Sequence, residues 1–423
     1  MSPLKGPSAN NLQLMRVADT ISALAGFERR GAGTDAERRA ALWLAGELRG
    51  ARRDVELQTF WCRPNWAAAQ AWHIALGLAG SLVSVSSPAA GIAMVAIALL
   101  SVIADATTGV SPGRRLTLER ASQNVVSQPV GPGPRERLIV TANYDAGRTG
   151  LVYRAGPRAA CAALRRSVIG APAPGWIGWL AIALGWVLVT AILRHGGAGG
   201  TAVGIAQLIP TAALVLALAL ALELATSEPG PAAGDNASGV AVALALVRAL
   251  DVAPPPRLAV DVVLQGAGDG GMIGLRRHLR ARRRDLARGD VVVLGIAACG
   301  AGRPRWWDSD GSLIPLRYAR WLRACAQRVA AAESYLGATA VRGRGVTPAF
   351  PARAARRAAI TIGSLDRRGL APGSHQARDT PPAIEPGSAD ATLELALALV
   401  DAIDAELGAH ASAPAPPAAA RAL

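Results

Sequence analysis

Four short polar runs interrupt apolar stretches of this chain, and their residue types suit ligand binding and proton transfer. Asn143-Tyr144-Asp145 ends the apolar run Ile139 to Ala142, and Gly234-Asp235-Asn236-Ala237-Ser238-Gly239 forms a turn that opens a helical pattern. A third run, Gly266 to Gly274, is a glycine-rich corner carrying Asp269, and a fourth, Ser374 to Pro381, sets His375 and Asp379 in a loop before the last helical pattern. Loops at strand ends are where ligands bind in α/β sheets. Each residue also has a plain structural reading: Asp235 as an N-cap, Asp269 as a turn residue beside glycines, His375 as an exposed loop histidine. Taken singly, those plain readings are the stronger. The order of the four runs and the elements around them change the balance.

Those elements alternate between helix and strand. Apolar positions at helical spacing predict helices over Leu12 to Leu24, Ala36 to Leu48, Ala237 to Leu250, Met272 to Leu286, Pro315 to Ala331 and Ala389 to Ala405. Strands are expected at Val55 to Phe60, Arg137 to Ala142, Leu258 to Leu264, Asp290 to Ile296 and Ala358 to Ile362. The pattern is that of an α/β fold, a sheet covered by helices.

Longer apolar runs break into this alternation at about Ala67 to Ser86, Ala89 to Ala104, Gly175 to Leu193 and Ala202 to Leu224. Each approaches the roughly 20 residues a helix needs to cross a bilayer core. They pair as two hairpins, turning at Ser87-Pro88 and at Arg194 to Gly197, so all long segments fall on one side. The first pair also fits a buried or re-entrant hairpin, since His73, Ser81, Ser84 and Ser86 interrupt it. The resulting organisation is 1–66 and 106–173 as the first parts of one soluble domain, 67–105 and 174–225 as membrane hairpins, 226–408 as the rest of the domain, and 409–423 as a low-complexity, disordered tail. Charges at Arg16, Glu28, Arg29 and Arg30 interrupt any apolar core near the start, so no cleaved leader is expected.

The 423 residues are 51% apolar with 4% aromatics, and the formal charge of +15 rests almost wholly on arginine, Lys5 being the single lysine. No basic-and-aromatic recognition motif stands out, so the membrane, rather than nucleic acid, accounts for the charge. Arginines flank the spans on the long-segment side, among them Arg52, Arg53, Arg63, Arg114, Arg115 and Arg120, which orients that side to the cytoplasm of a multi-pass cell-membrane protein. The run Arg276, Arg277, Arg280, Arg282, Arg283 and Arg284 reads as a solvated face or as a contact for anionic headgroups. Cys62, Cys161, Cys299 and Cys325 are scattered, which suggests neither a disulfide scaffold nor a cysteine zinc site.

In their order, the four polar runs resemble the motifs of the co-catalytic zinc aminopeptidases, metallopeptidase family twenty-eight, which includes plasma glutamate carboxypeptidase and transferrin-receptor relatives. Leu24 to Thr34 is similar to that family's opening segment, Asn143-Tyr144-Asp145 to its His-x-Asp strand end, and Gly234 to Gly239 to its Asp-Asn-x-Ser-Gly turn. Gly266 to Gly274 falls in frame with Gly-Ala-Glu-Glu-x-Gly-x-x-Gly, and His375 with Asp379-Thr380 matches the closing His-x-x-x-Asp-Thr. The resemblance implies a mostly parallel twisted sheet flanked by helices, interrupted here by two transmembrane hairpins. It also requires an even number of spans between Asp145 and Asp235, so that both reach one site.

Departures from the family pattern bear on chemistry. The resemblance assigns one zinc to positions that hold Asn143, Asp235 and Ala297 here, so that metal site is degenerate. The other zinc maps to Asp235, Asp269 and His375, three usable donors, although Asp269 is one methylene shorter than the family's glutamate. The family's general base falls on Gly268, which has no side chain to move a proton. Asp145, which orients the ligand histidine in the family, has none to orient. Two readings follow: a membrane-anchored pseudo-peptidase that binds a ligand, peptide or protein partner in the inherited cleft, or a one-metal zinc hydrolase of aminopeptidase type with altered chemistry.

Overall fold

The computed structural model describes residues 9–129, 136–164, 174–286 and 291–412. Two helices, α1 (Ala9–Ala25) and α2 (Asp35–Gly50), precede strand β1 (Asp54–Cys62), and then come α3 (Trp66–Val83), α4 (Pro88–Thr108) and the short α5 (Pro112–Arg115). Strands β2 (Arg120–Gln128) and β3 (Glu136–Asn143) lead to α6 (Ala155–Leu164), α7 (Trp176–His195) and α8 (Thr201–Thr226). Next are α9 (Ser238–Val252), β4 (Leu258–Gln265), α10 (Ile273–Ala281), β5 (Val291–Ile296), β6 (Arg303–Asp310) and β7 (Leu316–Arg317). The chain closes with α11 (Arg320–Ala332), β8 (Thr339–Arg342), α12 (Phe350–Ala354), β9 (Ala358–Leu365) and α13 (Ser388–Ser412).

The strands form one nine-stranded sheet in the order β1-β2-β4-β3-β5-β9-β6-β7, with β8 paired to β6. The central strands β4, β3, β5 and β9 are mutually parallel, and antiparallel strands close both sides. Parallel strands need both faces covered. One face packs on α1, α2, α9, α11 and α13 through Leu44, Leu244, Val262, Leu294 and Leu399, and the other carries Val263, Leu275, Val293 and Ala352 against α10 and α12. The α/β sheet between helices expected from the alternation is therefore present.

Expected and observed elements differ in informative places. Strands β2, β6, β7 and β8 were not foreseen, and α10 stops at Ala281, short of Leu286. The expected helix start at Pro315 lies just before β7, and α11 begins only at Arg320. Helix α13 runs to Ser412, past the boundary at 409 expected for a disordered tail; residues 413–423 lie outside the described residues, as does Asp290 of the expected fourth strand.

Outside the sheet, α3, α4, α7 and α8 form a bundle. Pro88 at the first turn starts α4 and Gly109, at φ 72°, ends it. The bundle has its own core of Ile74, Val95, Leu184, Val187 and Leu214. Its outward faces carry Ile97, Leu100, Trp179, Trp186, Leu208 and Leu216, all exposed, an apolar surface that water would not favour. Four helices among the described residues are long and apolar enough to cross a membrane: Pro88–Thr108, Trp176–His195, Thr201–Thr226 and Ala233–Val252. The last is a core helix, since 83% of its apolar window is enclosed by the domain, against 17% for Thr201–Thr226. The expected first span forms as α3 but is not in that set, because Gln70, His73 and Ser81 make it more polar; all three are buried inside the bundle.

Polar contacts fasten the bundle to the domain. Asp105, near the end of α4, takes both oxygens to Arg114 at 2.7 and 2.9 Å and also accepts from Ser111 and Gln70, each at 3.0 Å. Within the basic run Arg277, Arg280, Arg283 and Arg284 are exposed, as a solvated face requires, and its first three arginines also cap backbone carbonyls at the domain's junction with the bundle. Arg276 donates to Thr107 at 3.1 Å, Arg280 to Thr108 at 2.9 Å and Arg277 to Trp61 at 3.0 Å. The first two thereby meet the negative end of the α4 dipole.

Candidate functional site

The four polar runs converge at the carboxyl ends of β3, β4 and β5, as sheet geometry demands. Asn143, the last residue of β3, stands in register with Gln265 at the end of β4. The corner after β4 folds over Asp145: the amides of Gly268 and Asp269 each donate to its carboxylate at 2.8 Å. Asp145 is fully buried, and burial, reinforced by nearby Asp269, pushes its pKa up against those hydrogen bonds.

Opposite that corner, the turn before α9 is gripped by the closing loop. Asp379 accepts from the amides of Gly234 at 2.7 Å and Asp235 at 3.0 Å, and Ser374 donates to the Asp235 carboxylate. His375 sits in the left-handed region at φ 57°, stacks on Tyr153 with ring centroids 4.3 Å apart, and places Nδ1 3.0 Å from the Arg148 carbonyl. Its Nε2 faces Asp235 at 4.0 Å. Asp269 accepts from the Arg148 amide at 3.3 Å. Asn143, Asp145, Asp235, Gly268, Asp269 and His375 are thus gathered at one site, and Asn143, Asp235, Gly268, Asp269 and His375 line one cleft of about 340 Å³. Ala297 follows β5 and is buried, its amide bonded to Ile362.

Amides pair at the end of β3, where the resemblance places the first zinc. Asn236 donates to the Asn143 side-chain carbonyl at 3.1 Å and to the Ile296 carbonyl at 3.2 Å, while the Asn143 amide reaches Asp145 at 3.4 Å. The amide groups of Asn143 and Asn236 thus occupy the place where the resemblance puts a metal histidine, and the Asn236 Oδ1 among them is buried without a partner.

At the other zinc position that the resemblance implies, His375 and Asp235 face each other. Two ligands about 2.0–2.1 Å from a tetrahedral zinc stand roughly 3.4 Å apart, so the 4.0 Å gap between His375 and Asp235 would close with a small shift. A third donor is wanting: among the described residues no group of three His, Cys, Asp or Glu is placed to hold a metal. Asp235, Asp269 and His375 share a cleft but do not converge as a three-ligand cage, so the residues present do not fit the expected zinc.

Sequence reasoning missed the groups beneath the site. Arg30, in the Leu24 to Thr34 run, is buried and donates to the Tyr144 carbonyl at 2.5 Å; burial lowers its pKa to about 10, although Asp145 and Asp379 hold it charged. Glu37, from α2, accepts from Ala267 at 2.8 Å, Ser122 at 2.9 Å and Gly33 at 2.7 Å, tying α2 to the corner. Its place three residues after the N-cap Thr34 reads as a capping acid, which hid this longer reach. Burial first, then the charge of Asp145, pushes the Glu37 pKa from 4.5 to about 8. The folded chain therefore holds a proton that the unfolded chain releases, and the stabilisation is complete below about pH 4.5 and lost as pH rises towards about 8. The melting temperature should fall across that window, and Glu37→Gln should flatten the slope. A slope unchanged by Glu37→Gln would mean that Glu37 titrates as an ordinary carboxyl.

A sheet with two helical covers, with the site at its parallel carboxyl ends, defines an α/β/α protein of the aminopeptidase fold. Residues 223–400 match the model of peptidase family M28, the family whose motifs the sequence resembles. Among solved structures the chain is similar to a leucine aminopeptidase precursor from Bacteroides thetaiotaomicron, at 14% identity and TM-score 0.51, covering 92% of this chain and 96% of that one. It is likewise similar to the zinc aminopeptidase of Bacillus subtilis, at 14% identity and TM-score 0.51 over 92% and 94% of the two chains. A glutaminyl cyclase from Bacteroides thetaiotaomicron matches as well, at 13% identity and TM-score 0.51 over 92% and 97%. None of the curated proteins matches the sequence.

Proposed function

We propose that this chain is a membrane-anchored protein of the M28 fold that binds a ligand, such as a peptide or protein segment, in the inherited cleft without efficient peptide hydrolysis. The observation that carries this reading is Gly268 at the position of the family's base, beside an Asn143–Asn236 amide pair where the resemblance places a metal ligand. Loss of a general base alone typically lowers rate by about 10²–10⁴. A second reading, a one-metal zinc hydrolase with altered chemistry, has only the facing of His375 and Asp235 in its favour and requires Asp269 to move in as the third ligand. Metal analysis of the purified chain, with aminopeptidase assays in added zinc, separates the two. Background turnover supports the ligand-binding protein; stoichiometric zinc and robust turnover, both lost in His375→Ala, would sink it.

The bilayer is the proposed home of the bundle. Helices α4, α7 and α8, of 21, 20 and 26 residues, match the length a bilayer core requires, with α3 completing the first hairpin. The arginine distribution puts the domain and both termini in the cytoplasm and the loop between α7 and α8 outside. Cys161 supplies a native probe, because it is exposed while Cys62, Cys299 and Cys325 are buried. An impermeant thiol reagent should label Cys161 only after intact cells are permeabilised, and should label a cysteine placed at Gly197 without permeabilisation. The opposite pattern would invert the orientation.

A further inference from the structure

The cleft is only half built by the sheet. Its other wall is the bundle: Trp66 and Trp176, the first residues of α3 and α7, pack with ring centroids 5.1 Å apart, and Ile177 lines the cleft beside them. Helices α3 and α7 start, and α4 and α8 end, on this same side of the bundle, so the aromatic pair stands at the level where the spans meet the domain. Tryptophans favour that interfacial level.

Charges line the cleft in an order that a ligand can read. At the sheet end, Asp269 has no cationic partner among the described ion pairs, and Asp235 has only His375 at 4.0 Å. Towards the bundle stands Arg276, whose hydrogen bonds run to the carbonyls of Gly271, Thr107 and Ala106 and to no carboxylate. Next to it come the indoles and Ile177. A complementary molecule carries an ammonium for the aspartates, an anion for Arg276 and an apolar chain leaving along the bundle.

We propose that the cleft binds the headgroup of an amino phospholipid of the ethanolamine type, taken from the bilayer, with its ammonium at Asp235 and Asp269, its phosphate at Arg276 and its acyl chains past Trp66 and Trp176. This rests on the reading that the cleft binds and does not cleave. A quaternary choline head has no N–H to donate to the carboxylates, and a glycerol head offers them no cation. A peptide amino terminus supplies the ammonium but reaches Arg276 only where a carboxylate falls at the matching distance along the peptide.

The test uses the full-length chain purified from bilayers containing equal phosphatidylethanolamine, phosphatidylcholine and phosphatidylglycerol, with retained lipid read by native mass spectrometry. Phosphatidylethanolamine should be enriched about tenfold over each of the others, and Asp269→Asn and Arg276→Gln should each remove about tenfold of that enrichment, the scale of one charged hydrogen bond. A variant-free measurement stands beside it: glycerophosphoethanolamine should displace the retained lipid from the unmodified chain, and glycerophosphocholine should not. Equal retention of the three lipids, or enrichment unaltered in both variants, overturns the proposal. Peptide retained uncleaved, with no enrichment of phosphatidylethanolamine, removes the lipid and keeps the ligand-binding cleft; peptide turnover removes that reading itself.

Discussion

Arg114→Ala is expected to destabilise the protein by about 3–5 kcal/mol, the usual effect of breaking a buried ion pair from one side. The side chains of Arg114 and Asp105 are 10% and 3% exposed, and the guanidinium meets both carboxylate oxygens. Removing it leaves the buried Asp105 charged against Ser111 and Gln70 alone. It also frees the Arg63 carbonyl, to which Arg114 donates at 2.9 Å, and so loosens the approach to α3. Denaturant unfolding of the detergent-solubilised chain measures the loss. Arg114→Met with Asp105→Leu should recover much of it, since a buried pair is often replaced by apolar groups at little cost. A loss below about 1 kcal/mol for Arg114→Ala would place the pair in the class of solvated surface bridges.

The same contacts show which parts of the molecule the sequence discloses. Motif residues such as Asp145, Asp235 and His375 sit in short local patterns, strand end, turn and loop, and the apolar spans are local too, so both are visible in the linear chain. Strand β2 is not, because its buried Ser122, Asn124 and Ser127 look like loop residues until their partners are known. Those partners, Glu37, the Gly274 carbonyl and Arg53, arrive from distant elements. Arg276 and Arg280 carry the same lesson: a row of arginines reads as a solvated or lipid-facing stripe, while the carbonyls they cap end a helix far away in sequence. The bundle wall of the cleft is likewise set by topology alone, since nothing near Trp66 or Trp176 in sequence points to Asp235. The three positions that the resemblance assigns to a zinc illustrate the limit too, because a motif can match in residue types while the third donor does not converge among the described residues.

Restoring the family's base should fail for a reason that lies in the backbone. A β-carbon on Gly268 would stand 2.3 Å from the Asn143 β-carbon and 2.8 Å from the Asp145 carboxylate, distances that side chains do not tolerate. The Asn143 atom is the root of its side chain and cannot swing aside, and Gly268 cannot retreat without breaking the hydrogen bond that its N–H donates to the Asp145 carboxylate. Gly268→Glu also adds a third carboxylate beside Asp145 and Asp269. Overpacking of this kind typically costs about 1–3 kcal/mol, so the variant should melt lower and remain at background aminopeptidase turnover in added zinc. The combined change Asn143→His, Gly268→Glu and Ala297→Asp supplies the family's missing side chains, yet histidine carries a β-carbon where asparagine does, and the crowding at Gly268 persists. It too is expected to stay at background, with a melting temperature no higher than that of Gly268→Glu alone. Turnover by the triple variant, lost again in His375→Ala, would show that the end of β3 can move away from the glycine corner and that the cleft has kept the shape of a working peptidase.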